Sequence, residues 1–208
     1  MALKCFYYDV TQLADRELFA KGLSGLFWSK RAERVSRYRF DKDKRLCLGA
    51  GLLAQDMLRA AGADDLTIAY NRYGKPYLAN YPHIHFNISH DGDIAVCAAG
   101  DVPAGVDVQK LTPYDMDIAS MVMLPEEIGY ITAQEDTAAA FTGIWTRKES
   151  FVKLYGTGLS HDMKSFSVLP PEARCGSAYF HEYRVGDHLI CLCCEGAADV
   201  QFGEWKYR

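Results

Sequence analysis

GDIAVCAAG, residues Gly92–Gly100, opens on a Gly-Asp bend and continues as the second of two β-rich runs in HIHFNISHDGDIAVCAAG. Its first six residues follow the pattern Gly-Asp-x-x-β-branched-Cys, which returns 94 residues later in GDHLICLCCEG, Gly186–Gly196. Each copy lies downstream of a helical stretch, KRLCLGAGLL from Lys44 and WTRKESFVKL from Trp145. Two similar halves are the reading that follows, although a match this short also arises by chance, so the residues alone leave duplication open. With no low-complexity linker, the seam falls in GDVPAG, Gly100–Gly105.

Outward from these landmarks, LKCFYYDV gives an opening strand, and residues 12–29 one helix or two short ones. RLCLGAGLLAQDMLRAAG places Leu46, Leu52, Leu53, Met57 and Leu58 near helical spacing and closes at Gly62, which predicts a buried helix. LTIAYNRYGKPYL holds a Gly-Lys-Pro turn between two strand-like runs, and GVDVQKL alternates as a short strand. Residues 113–135 look helical, with LPEEIGYI opening on proline and two acids. A long helix is predicted from Thr137 to Tyr155, stopped by Gly156, before a strand-rich end.

Composition sets the class. At 208 residues, 49% hydrophobic and 24% charged, the chain has the balance of a folded globular protein. The start lacks a signal-peptide pattern, and nowhere do about 18 apolar residues run together, so a cytoplasmic location and no membrane partner are expected. Seven cysteines, an odd number at irregular spacing, argue for thiols over a disulfide framework. Cys191, Cys193 and Cys194 invite a metal reading, but His181 and His188 supply no familiar second ligand pair, and a buried strand explains them better.

A net charge of −4 excludes a general nucleic-acid binder. Within that acidic whole, KRAERVSRYRFDKDKR from Lys30 to Arg45 carries eight basic residues against three acids. A solvated helix and a site for a phosphate-bearing ligand both explain it.

Three further places carry groups suited to chemistry. On a strand, Asp107 and Gln109 share a face while Val106 and Val108 look to the core, and paired oxygen donors of this kind suit Mg²⁺. An alternating surface strand gives the same pattern. Glu149 and Lys153 stand at i,i+4 in the order that favours an ion pair, within a helix that also holds Lys148 and Ser150 and ends in Gly-Thr-Gly-Leu. FNISHDG packs Asn87, Ser89 and His90, but strand geometry sends Ser89 and His90 to opposite faces, so they are no nucleophile and base pair.

Taken in order, GKP at Gly74–Pro76, FNISHDG at Phe86–Gly92, GVDVQ at Gly105–Gln109 and WTRKESFVKLYGTGLS at Trp145–Ser160 resemble the Sfp-type 4′-phosphopantetheinyl transferases, within the holo-acyl-carrier-protein synthase superfamily. The resemblance implies an α+β fold: a pseudo-twofold pair of similar lobes, each an antiparallel sheet on a long helix, divided as 1–103 and 104–208. It implies a monomer that binds coenzyme A as cosubstrate and Mg²⁺, with Mn²⁺ as a substitute. Phosphopantetheine would pass to a serine of an apo acyl or peptidyl carrier protein, releasing adenosine 3′,5′-bisphosphate. Asp107, Gln109 and Glu149 fall at the metal positions; Asp107, Glu149 and Lys153 are the catalytic set, with Glu149 or a water it holds as the base. Lys75, Pro76, Ser89, His90, Arg45 and Lys148 would meet the cosubstrate, with Lys30, Arg31 and Arg34 as further phosphate partners.

One position departs from the family. An acid usually stands two residues after the aspartate, where this chain has Gln109. The amide keeps an oxygen donor but removes a negative charge, so weaker metal binding or altered metal preference is expected of an active enzyme. The alternative is a coenzyme A-binding module of the same fold with little or no turnover.

Overall fold

A computed structural model describes residues 3–158, 162–171 and 174–207. The chain opens with β1 (Leu3–Asp9), a 3₁₀ turn (Val10–Ala14), α1 (Arg16–Gly25), α2 (Ser29–Arg37) and α3 (Asp41–Ala60). A small ribbon, β2 (Ile68–Tyr70) and β3 (Pro76–Leu78), precedes the hairpin β4 (His85–Asp91) and β5 (Ile94–Gly100). The second half again runs strand, three helices, then strands, with one strand fewer: β6 (Ala104–Lys110), α4 (Met116–Val122), α5 (Pro125–Thr132), α6 (Thr137–Tyr155), β7 (Arg174–Cys175), β8 (Ala178–Val185) and β9 (His188–Glu195). A final strand, β10 (Val200–Glu204), follows.

The two quoted stretches are the central strands. Gly92 and Gly186 both take positive φ, 59° and 58°, at the tip of the hairpin that feeds β5 and β9. That is the left-handed backbone glycine adopts without a Cβ penalty. The sheets run β10-β1-β5-β4 and β6-β9-β8-β7, and apart from the parallel β1–β10 pair their ladders are antiparallel.

Alternation along the strands builds three layers of core. Ala95, Cys97 and Ala99 of β5 face the α3 side, while Ile94, Val96 and Ala98 face the second sheet. β9 does the same, with Cys191 and Cys193 toward α6 and Ile190, Leu192 and Cys194 toward the first sheet. The order is therefore helix, sheet, sheet, helix. A strand buried on both faces favours small apolar residues, which accounts for the cysteines. Cys191 and Cys193 lie on one face and Cys194 on the other, and no cluster able to hold a metal through His, Cys, Asp or Glu occurs among the described residues.

The helices stop where their caps dictate. The Asp136 carboxylate accepts from Ala139 N at 2.9 Å to start α6, and Gly156 at φ 64° ends it. The helical stretch expected over 113–135 is two short helices, interrupted at Met123–Leu124 before Pro125. The lobe boundary expected at 103/104 meets one complication: β10 returns to pair with β1, and Phe202 stacks on Tyr183 of β8 at 3.8 Å between centroids. The chain's end thus ties both sheets. No helix among the described residues is long and apolar enough to cross a membrane. Leu159 and Ser160, the last residues of the WTRKESFVKLYGTGLS motif, lie outside the described residues.

Candidate active site

The site starts from a glycine. A Cβ at Gly105 would lie 2.2 Å from both Leu154 N and Ser150 O, so β6 and the backbone of α6 touch here. Two residues along the same face of β6, Asp107 therefore comes beside α6 rather than above a layer of side chains. Val106 and Val108, on the alternate face, fill the core between the sheets as the alternation predicts.

Asp107 is 1% exposed, and its Oδ1 accepts from Lys153 Nζ at 2.5 Å and from Ser89 Oγ at 2.8 Å. Lys153 also donates to Ser89 Oγ at 2.8 Å, closing a triangle across β4, β6 and α6. The other carboxylate oxygen takes a bond from Gln109 Nε2 at 3.3 Å. Asn87, on the same strand as Ser89, accepts from Val106 N at 2.8 Å and fixes the hairpin against β6.

Glu149 stands one helical turn before Lys153, but the expected i,i+4 ion pair is not formed. A nearly buried carboxylate needs a counter-charge more than a partly buried one does, and Asp107 takes the lysine. Among the described residues Glu149 is left with neither hydrogen bond nor ion pair. Burial first, and the nearby Asp107 charge second, push its carboxyl above the usual range, while Lys153 opposes them.

These groups line a cleft of about 660 Å³. Lys30, Arg31 and Arg34 from α2 line the same cleft, as do His90, Pro76 and Trp145. Arg31 is only 7% exposed, and its Nε donates to Cys47 O at 2.7 Å. Burial, followed by the Arg31 and Lys153 charges, drives His90 down to about 4, so at neutral pH its imidazole is uncharged. Of the remaining basic residues of the segment, Arg37 pairs with Glu33 and Lys44 with Asp41.

Three expected cosubstrate contacts do not line this cleft, although Lys75 lines a neighbouring one together with Glu149 and Lys153. Lys148 is 1% exposed and pairs with fully buried Glu127 at 2.9 Å, donating also to Met163 O and Phe166 O. Lys75 donates to Lys153 O at 2.6 Å, Leu154 O at 2.9 Å and Ala104 O at 3.2 Å, capping the end of α6. Burial lowers it to about 8. Arg45 lines a separate cavity of about 260 Å³ with Arg16 and Lys44. In each case the charge was visible in the sequence and its direction was not.

Glu127 is one of the two acids that open α5, as the sequence predicts, but its burial is not legible there. Its Oε1 accepts from Val168 N and its Oε2 from Leu124 N, so the ion pair with Lys148 joins α5, α6 and the segment around residues 163–168. Lys148→Met should lower stability by about 3–5 kcal/mol, read by urea unfolding, because it strands a buried carboxylate. An unchanged unfolding midpoint would contradict that role.

The comparisons with known proteins bear on what this cleft does. A family model described as the 4′-phosphopantetheinyl transferase superfamily matches residues 103–193, and one described as 4′-phosphopantetheinyl transferase, N-terminal, matches residues 20–102. A Bacillus subtilis 4′-phosphopantetheinyl transferase is 36% identical over 67% of this chain and 65% of its own length. The Sfp transferase of Bacillus subtilis strain 168 is 33% identical over 67% and 64%. The gsp transferase of Aneurinibacillus migulanus is 27% identical over 92% and 85%. The chain thus spans just under two thirds of the length of the two Bacillus relatives. Thermotoga maritima holo-[acyl-carrier-protein] synthase aligns in structure over 46% of this chain and 63% of its own, at a TM-score of 0.38 and 20% identity. Because the two family models meet between residues 102 and 103 and together run from residue 20 to residue 193, the chain belongs to the 4′-phosphopantetheinyl transferase superfamily.

Proposed function

We propose that this protein transfers the 4′-phosphopantetheine group of coenzyme A to a serine hydroxyl of an apo acyl or peptidyl carrier protein, releasing adenosine 3′,5′-bisphosphate. One observation carries the reading: a single cleft brings Asp107, Glu149 and Lys153 of β6 and α6 together with Lys30, Arg31 and Arg34 of α2. Those two sets of residues suit the pyrophosphate and the 3′-phosphate of one elongated polyanion.

In the reaction, the serine oxygen bonds to the phosphorus that bears pantetheine, and the bond from that phosphorus to the bridging pyrophosphate oxygen breaks. The serine proton passes to the Glu149 carboxylate, directly or through a water. Its unpartnered state and raised proton affinity fit a base. Lys153 neutralises charge on the departing oxygen, while Ser89 and Asp107 hold its ammonium in place. Neutral His90 serves as a hydrogen-bonding partner for phosphate without adding charge.

The donor set fits a hard divalent cation. Glu149, whose proton affinity burial and then the Asp107 charge raise, and Asp107 with an amide beside it form an oxygen-rich corner in which a cation relieves the repulsion. Asp107, Glu149 and Gln109 would hold Mg²⁺, which when bound neutralises pyrophosphate charge. The Gln109 amide donates to Asp107, so it also orients that carboxylate. Gln109→Glu should lower the half-saturating Mg²⁺ concentration several-fold and change the Mg²⁺ to Mn²⁺ ratio of rates. Identical titration curves for native protein and variant would rule out this role.

The neutral Gln109 is also what favours the second reading, a coenzyme A-binding module without turnover. Saturable coenzyme A binding with no modified carrier, across several metals and carriers, would decide for it. In the transferase reading residues 1–103 and 104–208 are two lobes of one monomeric unit acting in the cytoplasm, supported by the recurring order of elements.

A further inference from the structure

We infer that the hydrogen bond between Trp28 and Tyr70 sets the span from the cationic side chains of α2 to α6, and so selects a cosubstrate that carries a third phosphate beyond its pyrophosphate. The inference deepens the transfer reading above and rests on it. The Trp28 indole Nε1 donates to the Tyr70 hydroxyl at 2.8 Å. Among the described residues, no other hydrogen bond joins the start of α2 to the β2–β3 ribbon.

On the α2 side, Trp28 is the residue from which the helix begins. Its carbonyl accepts from Arg31 N at 2.9 Å and Ala32 N at 3.0 Å. Its ring lies 5.2 Å from the Arg31 guanidinium, and Phe86 packs edge-on against it. Arg31 cannot swing away, because its Nε is bound to Cys47 O and its stem fills the gap left by Gly51. A Cβ at Gly51 would sit 3.0 Å from Arg31 Cδ.

On the ribbon side, the ring of Tyr70 carries Lys30 Nζ at 4.7 Å from its centroid. Tyr70 pairs with Pro76 across the ribbon. The next residue, Asn71, donates to Gly156 O at 2.9 Å, and Lys75 holds the carbonyls of Lys153 and Leu154. A continuous line of bonds therefore runs from the end of α6, through the ribbon, to the foot of the helix that bears Lys30, Arg31 and Arg34.

Trp28 and Tyr70 are positioning residues: they act through the cations and through the ribbon, not on the reacting phosphorus. A ligand that ends at its pyrophosphate meets the Asp107 and Glu149 set only. One with a terminal phosphate has to bridge both sets, so its binding alone depends on a fixed span.

Native protein, Trp28→Phe, Tyr70→Phe and the double variant test this, each single change keeping a ring beneath its cation while removing one half of the bond. KM and kcat are measured with coenzyme A and with 3′-dephospho-coenzyme A, and calorimetry gives Kd for both without acceptor. For coenzyme A, KM and Kd should rise about fivefold with kcat little changed. For the dephospho compound both should stay at the native value, and the double variant should be no worse than either single one. Equal weakening of both cosubstrates, no change in either, or additive single effects would overturn the inference. Native protein that binds neither compound removes the transfer reading and the inference together; native turnover with unselective variants removes the inference alone.

Discussion

Glu149→Gln is expected to lower kcat for carrier modification by about a thousandfold or more, with little change in the thermal midpoint. The carboxylate has no partner among the described residues, so its loss breaks no bond that holds the fold. Glutamine keeps the volume and one oxygen but can neither accept the serine proton nor supply charge to a cation. Asp107→Asn should behave differently, because Asp107 is buried against Lys153 and Ser89: activity and stability should fall together. Measuring both variants by carrier mass and by thermal unfolding separates the two roles. Ordinary turnover by the Glu149 variant would refute its assignment as base and metal ligand.

Gly105→Ala is the second large effect, and it acts through geometry alone. The added methyl would meet Leu154 N and Ser150 O at 2.2 Å, and Lys153 C at 2.7 Å. These are backbone atoms in the last turns of a hydrogen-bonded helix, so no rotamer change can relieve the clash. β6 and α6 must separate, at a cost of about 3 kcal/mol or more, and Asp107 must move away from Lys153 with them. Urea unfolding and carrier modification should both register the change. Gly129→Ala in α5 is the control: a Cβ there meets nothing within 4 Å, and stability should hold or rise by about 0.5–1 kcal/mol. Equal behaviour of the two variants would show that the contact between β6 and α6 is not what sets the site.

Much of this molecule is written locally. The long helix and its stop follow from Asp136 and Gly156 at its ends, and the paired hairpins follow from Gly-Asp bends with positive φ. The common face of Asp107 and Gln109 follows from strand alternation. What local pattern does not hold is where a long charged side chain goes once neighbours compete for it. Lys153 looked like the partner of Glu149 and went to Asp107, because a deeper carboxylate had the greater need. Lys148 and Lys75 sit in motifs of the site, yet the first answers a buried Glu127 and the second a set of helix-end carbonyls. The bond from Trp28 to Tyr70 joins residues separated by 42 positions, and nothing in either segment announces the other. The return of β10 to β1 is likewise a tertiary choice, made by an edge strand that had no partner in its own half.

The most direct test of the proposed transfer is the intact mass of a panel of apo carrier proteins after incubation with the native protein, coenzyme A and Mg²⁺. The expected result is a carrier heavier by one phosphopantetheinyl group on its acceptor serine, with adenosine 3′,5′-bisphosphate released in equal amount. Carriers that all keep their apo mass, while coenzyme A binds saturably to the same protein, would contradict it.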